Sequence, residues 1–422
     1  MAADGADGRA APRRALRALD ALNFFLADVR DGLGPYLAIY LIAVRGPAQG
    51  WNEATVGLVM TIAGIAALVA QTPAGALIDA TRAKRAVVIA AALAVTLSCL
   101  ALPFTSDFWL VAATQSVAGA AGALFPPALA AVTLGVVGPK MFARRIGRNE
   151  AFNHAGNAVS AAIAAVAAQR FGPVVVFWLM AALAALSIGA MLAVKPSDID
   201  DDLARGLSHA EGREREAPEG WLRAVLANRP LALFALLAAL FHLANAAMLT
   251  SVGQKLARIV GQGDATSLVA ICIVAAQCVM VPVALVVGAK ADAWGRKPIF
   301  LAAFAVLALR GALYPLSDAP AWLVGVQLLD GVGAGIYGAL FPVVVADLTR
   351  GAGRFNAAQG AVATAQGLGA AASASLAGLI IVAAGYSAAF LTLAAIAAAG
   401  FALCLAALPE TRGTVSAGAP AP

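Results

Sequence analysis

The sequence predicts an all-α polytopic membrane protein with twelve transmembrane helices, arranged as two six-helix pseudo-symmetric bundles. Three observations predict it. Of the 422 residues, 61% are hydrophobic and only 12% are charged, with a mean hydropathy of +0.84. Soluble domains run about 45–50% apolar and about 25% charged. The apolar residues gather in twelve runs, each long enough to cross a bilayer core, which takes about 20 helical residues. Landmarks in the first six runs return in the last six at a nearly constant offset. This composition excludes a soluble enzyme, a nucleic-acid-binding domain and a disordered scaffold.

In chain order the runs are 20–44, 54–79, 86–105, 108–138, 150–170, 172–194, 230–255, 264–288, 298–317, 321–348, 356–384 and 386–408. Some bend or break, as at Pro126-Pro127 and Pro342, which is tolerated where other helices satisfy the freed backbone groups. With the N-terminus in the cytoplasm, 23 Lys and Arg fall on inner connectors and 4 on outer ones, while Arg30 and Arg310 lie within spans. That bias puts both termini inside. The net charge of +6 is thus read as topology, and no nucleic-acid partner is expected. Residues 1–19 are polar and Arg-bearing, so no cleavable signal is expected there. They form a cytoplasmic tail, as do 409–422, and 1–17 and 410–422 are expected to be disordered. Residues 195–229 read as a charged cytoplasmic linker between bundles at 20–194 and 230–408. The thiols Cys99, Cys272, Cys278 and Cys404 lie inside apolar runs without zinc spacing, and no metal or cofactor is expected.

The repeat is carried by particular residues. GALIDATRAKR begins at Gly75 and GAKADAWGRKP at Gly288, 213 positions later, each entering a cytoplasmic turn. The fourth and tenth runs share Gln115/Gln327, Gly119/Gly331 and Phe125-Pro126/Phe341-Pro342 at offsets of 212 to 216. Parallel six-helix repeats joined by an inner linker are the layout of a rocking transporter. On these residues the chain resembles the major facilitator superfamily along its folded length. That family's turn motif is Gly-x-Leu-x-Asp-x-x-Gly-Arg-Lys. The second copy matches at Gly288, Asp292, Gly295, Arg296 and Lys297, with Lys290 in place of Leu. The first copy has Gly75, Leu77, Asp79 and Lys84, with Arg82 in place of the turn glycine, and Arg85 follows the motif. The resemblance implies a cytoplasmic gate built on these charges. Obeying the topology rule is the simpler reading of the same Arg and Lys. Many exporters of the family carry Arg where this chain has Gln115, and a Gly-Pro pair in span 5 that is absent here.

Ionisable groups at membrane depth usually face a cavity and mark function. Span 1 holds Asp28 and Asp31 on one face, about 12 and 16 Å deep by helical rise, with Arg30 pointing elsewhere. An embedded carboxylate balanced between desolvation and a nearby cation can load and release a proton. A static Asp–Arg pair is the alternative. In span 7, Asn245 aligns with Asp28, and His242 one turn earlier suits proton exchange or a structural hydrogen bond. Span 10 carries Asp330 about 13 Å deep, beside Gln327 and a glycine run read as helix packing. In span 5, Asn149, Asn153 and Asn157 form a stripe beside Glu150 and His154. Arg310 in span 9 is taken to snorkel at the outer end, with anion binding as the other reading. Gln71, Gln277 and Gln366 are further lining candidates.

The function expected from this constellation is secondary active transport of a small molecule across an inner membrane by alternating access, in a chain able to act as a monomer. Proton-coupled efflux of a drug-like or metabolite substrate is the first reading, because embedded acids outnumber bases. Transport of an organic anion on Arg30 or Arg310 is the second. A transport-inactive sensor or assembly partner is a third. No nucleophile–base pair suggests an enzyme.

Overall fold

The computed structural model describes residues 11–207 and 228–412 apart from 32–35, 38–39, 42–43 and 45–48, with backbone only at 31, 53–54 and 262–266. Eleven helices order the described chain: α1 (Arg13–Asp31), α2 (Glu53–Ala80), α3 (Lys84–Leu100), α4 (Phe108–Gly122), α5 (Phe125–Phe171), α6 (Val175–Ala193), α7 (Arg229–Val260), α8 (Gln262–Trp294), α9 (Arg296–Leu313), α10 (Pro320–Leu348) and α11 (Phe355–Ala407). Among the described residues nine helical segments are long and apolar enough to cross a membrane. Two of these each carry two expected spans. Gly138 (φ 68°) interrupts α5 and Gly385 (φ 85°) interrupts α11 with left-handed backbone, a conformation that favours glycine. Pro139 directly after Gly138 starts the following helix without sacrificing a hydrogen bond. The first expected span falls partly outside the described residues.

The chain forms two compact units. The first comprises 1–141, 152–205 and 354–364, and the second 142–151, 206–353 and 365–422. In the first, α1 buries Leu19, Leu22, Leu26 and Val29 in a cluster with Val88, Ala91 and Val95 of α3 and Phe177 and Met180 of α6. The 3-4-3 spacing of the α1 residues makes one continuous stripe. In the second, Phe234, Phe341, Tyr337 and Phe241 stack in sequence, with interplanar angles of 19°, 14° and 14°. The outward surface is apolar: Leu379 is 72% and Val382 90% exposed, as lipid-facing helices require.

Two expectations are corrected at the ends of the chain. The N-terminal segment expected to be disordered to residue 17 is helical from Arg13, where α1 starts. Ala15, Ala18 and Leu19 are buried while Arg13, Arg14 and Arg17 face outward, an amphipathic turn that the arginines obscure in a hydropathy reading. Glu410 and Thr411, expected in a disordered tail, make defined hydrogen bonds to α9 and α10. The start of the linker is also built. Residues 196–198 and 203–205 form 3-10 turns, Ala204 is fully buried, and the Asp200 amide donates to the Gly135 carbonyl.

Candidate functional site

A dense polar arrangement lies within the spans of the second unit. Arg310 sits three residues before the end of α9, a place where snorkelling was expected, yet it is only 1% exposed. Its Nη1 donates to Asp330 Oδ1 at 2.5 Å and to Asn245 Oδ1 at 2.6 Å. Nη2 donates to Gln327 Oε1 at 3.1 Å, and Nε to the Tyr314 hydroxyl at 3.2 Å. Tyr314 donates in turn to Gln327 Oε1, whose Nε2 donates to Asp330 Oδ2 at 3.3 Å. The snorkelling expectation is therefore wrong, for a specific reason. Gln327 and Asp330 stand three apart on α10, Asn245 projects from α7, and together they give the guanidinium fork acceptors inside the bundle.

Each helix contributes a position its sequence dictates. Tyr314 follows Arg310 by four residues and so shares its face. Gly311 leaves room for α9 to approach Met248, Phe390 and Ala394. Asp330 keeps 16% of its side chain exposed while Arg310 keeps 1%, so access to the pair runs through the carboxylate. Tyr314 was not singled out from the sequence, although its spacing from Arg310 was a usable signal.

The remaining span residues are placed as follows. His242 is half-buried, its Nδ1 3.0 Å from the Ala238 carbonyl and its ring edge-on to Tyr337 at 4.7 Å. Tyr337 donates to Gln366 Oε1 at 3.1 Å. In the first unit Asp28 and Arg30 are half-buried on α1, and the side chain of Asp31 lies outside the described residues. A Cβ on Gly156 of α5 would collide with the Phe24 carbonyl of α1. That close approach puts Asn153, three residues before Gly156, on the side of α5 toward α1, while His154 and Asn157 are half-buried. Gln115 is buried, and its amide nitrogen meets no acceptor among the described residues.

The turn motifs are built mainly around helix ends. Asp79 accepts from the backbone amides of Asn356 and Ala357 at 3.2 and 2.7 Å and from Asn356 Nδ2 at 2.8 Å. It thereby caps the start of α11, where orphan N–H groups and the helix dipole favour a carboxylate. Gly75, one turn earlier, packs against the Asn356 carbonyl with no room for a Cβ. Lys84 is 1% exposed and donates to Asp201 of the linker and to the Thr81 carbonyl, both at 2.8 Å. Arg85 donates to the Leu192 carbonyl, and Arg82 is exposed. In the second copy Gly288 packs on Gly147, and Gly295 adopts φ +92° before α9. Arg296 pairs with Asp292 at 2.7 Å and Asp347 at 3.0 Å. Lys297 Nζ donates to the Leu405 carbonyl. Glu410 accepts from the amides of Arg296 and Lys297 at 2.8 and 3.1 Å, so it caps α9 as Asp79 caps α11. Asp201, Asp347 and Glu410 were not anticipated: Asp201 and Glu410 stand in polar connectors that carry no local sign of a partner, and Asp347 lies at the very end of the tenth run, beside a basic turn.

Comparison with known proteins agrees with this architecture. The family model described as Major Facilitator Superfamily matches residues 21–289 and 234–422. An uncharacterized MFS-type transporter of Mycobacterium tuberculosis, in two strains, is 57% identical over 403 residues, covering 95% of both chains. Among solved structures, the Escherichia coli fucose:proton symporter superposes with a TM-score of 0.71 at 14% identity, over 92% of this chain and 97% of that one. A human organic anion transporter gives 0.68 at 17% identity over 93% and 99%. A proton:xylose symporter gives 0.70 at 13% identity over 94% and 96%. At these identities the structural likenesses speak for the fold alone. The chain belongs to the Major Facilitator Superfamily and is a multi-pass membrane transporter of that family, whose members move small molecules by secondary transport.

Proposed function

We propose that this member of the superfamily is proton-coupled, with Asp330 carrying the coupling proton and Arg310 as its counter-charge. One observation carries the reading: an ion pair at membrane depth whose cation is sealed while its carboxylate is partly open. A proton arriving at Asp330 removes the negative partner of Arg310 but leaves its bonds to Asn245, Gln327 and Tyr314. The guanidinium then holds an uncompensated charge in a low-dielectric place, a state that favours a different arrangement of α7, α9 and α10. A ligand or proton can shift a conformational equilibrium only by such a difference between states. Asp28 and Asp31 on α1 are the second candidates for the proton.

Efflux of a neutral or cationic drug-like or metabolite substrate is the direction we infer. Asp330 neutralises Arg310, so the embedded set keeps an acidic excess on α1, where Asp28 and Asp31 outnumber Arg30. On this account the chain works as a monomer in an inner membrane with both termini cytoplasmic, and the capped ends of α9 and α11 serve as its cytoplasmic gate. Organic anion transport is the second reading. It is favoured by the fact that, Asp330 apart, every acceptor on Arg310 is neutral, so protonation leaves a guanidinium ready for an anionic group.

The test is substrate-dependent proton movement in proteoliposomes, followed with an internal pH indicator across a library of cationic, neutral and anionic compounds. Proton flux should accompany at least one compound class. Uptake of a compound at the same rate with and without a pH gradient would overturn proton coupling. The class that moves decides between the two substrate readings.

A further inference from the structure

An apolar groove of about 450 Å³ opens on the second unit where α8, α9 and α10 meet. It is lined by Val283, Val286 and Trp294 of α8, Pro298 and Ala302 of α9, and Ile336 of α10. All three helices are long and apolar enough to cross a membrane. Trp294 is 56% and Val286 47% exposed, and Pro298 and Ala302 are exposed as well, so the groove opens toward lipid. Its size lies within the roughly 300–1,000 Å³ of ligand sites. Its aliphatic and indole walls offer carbon contacts suited to a methylene chain rather than a polar solute.

One cation shares the groove's face. On α8, Lys290 follows Val283 by seven positions and Val286 by four, and precedes Trp294 by four, which keeps all four residues on one side of the helix. Arg296 and Lys297 nearby are held by Asp292, Asp347 and the Leu405 carbonyl. Lys290 is exposed, and no ion pair or hydrogen bond engages it among the described residues. It stands about 6 Å, one helical turn, inside the end of α8 at Trp294. Its stem can therefore lie along the groove while its ammonium reaches the interface, beside an indole that prefers the same level. Lys290 also occupies the position where the family's turn motif has Leu, so the cation is a departure that the motif does not ask for.

We propose that this groove binds an anionic phospholipid of the cytoplasmic leaflet, with one acyl chain along α8 and α9 and the phosphate on Lys290. The choice of leaflet follows from the inner placement of this connector. Lipid binding does not depend on proton coupling, so the two readings stand or fall separately.

The experiment is native mass spectrometry of the full chain in detergent supplemented with phosphatidylglycerol or phosphatidylcholine. Two variants are compared with wild type. Lys290→Leu installs the family's own residue, and Ala302→Trp fills the groove from an exposed position while leaving Lys290. Wild type should retain phosphatidylglycerol about fivefold better than phosphatidylcholine, the size of one cation's attraction to an anionic leaflet. Lys290→Leu should abolish that preference, and Ala302→Trp should lower phosphatidylglycerol retention to the level of Lys290→Leu. A preference that survives Lys290→Leu overturns the headgroup contact. Unchanged retention in Ala302→Trp overturns the groove.

Discussion

A guanidinium costs several kcal/mol to remove from water unless its charge and donors are met, and Arg310 is met on four sides by Asp330, Asn245, Gln327 and Tyr314. Removing the cation strands the acid. Arg310→Met is expected to lose about 3–5 kcal/mol of stability, as for other broken buried pairs. Arg310→Met combined with Asp330→Asn should recover most of that loss, because the unpaired carboxylate is gone. Denaturant unfolding of both proteins in detergent measures this, and a double variant no more stable than the single one would show that Asp330 does not depend on Arg310. Asp330, Gln327 and Asn245 were legible in the sequence because a polar residue in an apolar helix is an exception that needs a reason. Their partnership with Arg310 was not. Helical rise gives the height of a residue in the membrane but not its direction around the helix axis, and an arginine near a helix end reads equally well as facing outward or inward.

Helix ends carry much of the remaining specificity. Asp79 and Glu410 each supply a carboxylate to the start of a helix remote from them in sequence, at Asn356 and Ala357 of α11 and at Arg296 and Lys297 of α9. Loss of such a cap costs about 1 kcal/mol, roughly a fivefold change in local opening. Asp79→Ala should therefore speed amide hydrogen exchange at the first turn of α11 and leave that of α9 unchanged, and Glu410→Ala should do the reverse. Equal protection in variant and wild type would mean that the caps contribute nothing. The spans themselves were readable from hydropathy, and the breaks at Gly138 and Gly385 fall where one run gives way to the next. The early start of α1 was hidden because Arg13, Arg14 and Arg17 outweigh Ala15, Ala18 and Leu19 in an average. The docked start of the linker was hidden because Asp201 gives no hint that Lys84 is its partner.

At the scale of the molecule, the six-and-six repeat, the charge bias and the family all follow from patterns that survive averaging over many residues. The substrate does not, since it depends on a few side chains that differ within one fold. The proposed topology has a direct consequence. Asp318, which precedes α10 and is ion-paired with Lys255 of α7, and Ala83, in the exposed turn after α2, should lie on opposite sides of the membrane, Asp318 outside. In intact cells a membrane-impermeant thiol reagent should label Asp318→Cys above the parent background and label Ala83→Cys only after permeabilisation, and the opposite pattern would invert the orientation. The central claim concerns the Arg310–Asp330 pair, and it is tested most directly by comparing exchange with uphill transport in proteoliposomes carrying wild type or Asp330→Asn. The variant keeps the shape and an acceptor for Arg310 but cannot release a proton. Wild type should accumulate substrate against its gradient when a pH gradient is imposed, while Asp330→Asn should still exchange labelled for unlabelled substrate but no longer accumulate it. Accumulation by Asp330→Asn at the wild-type level would contradict the account.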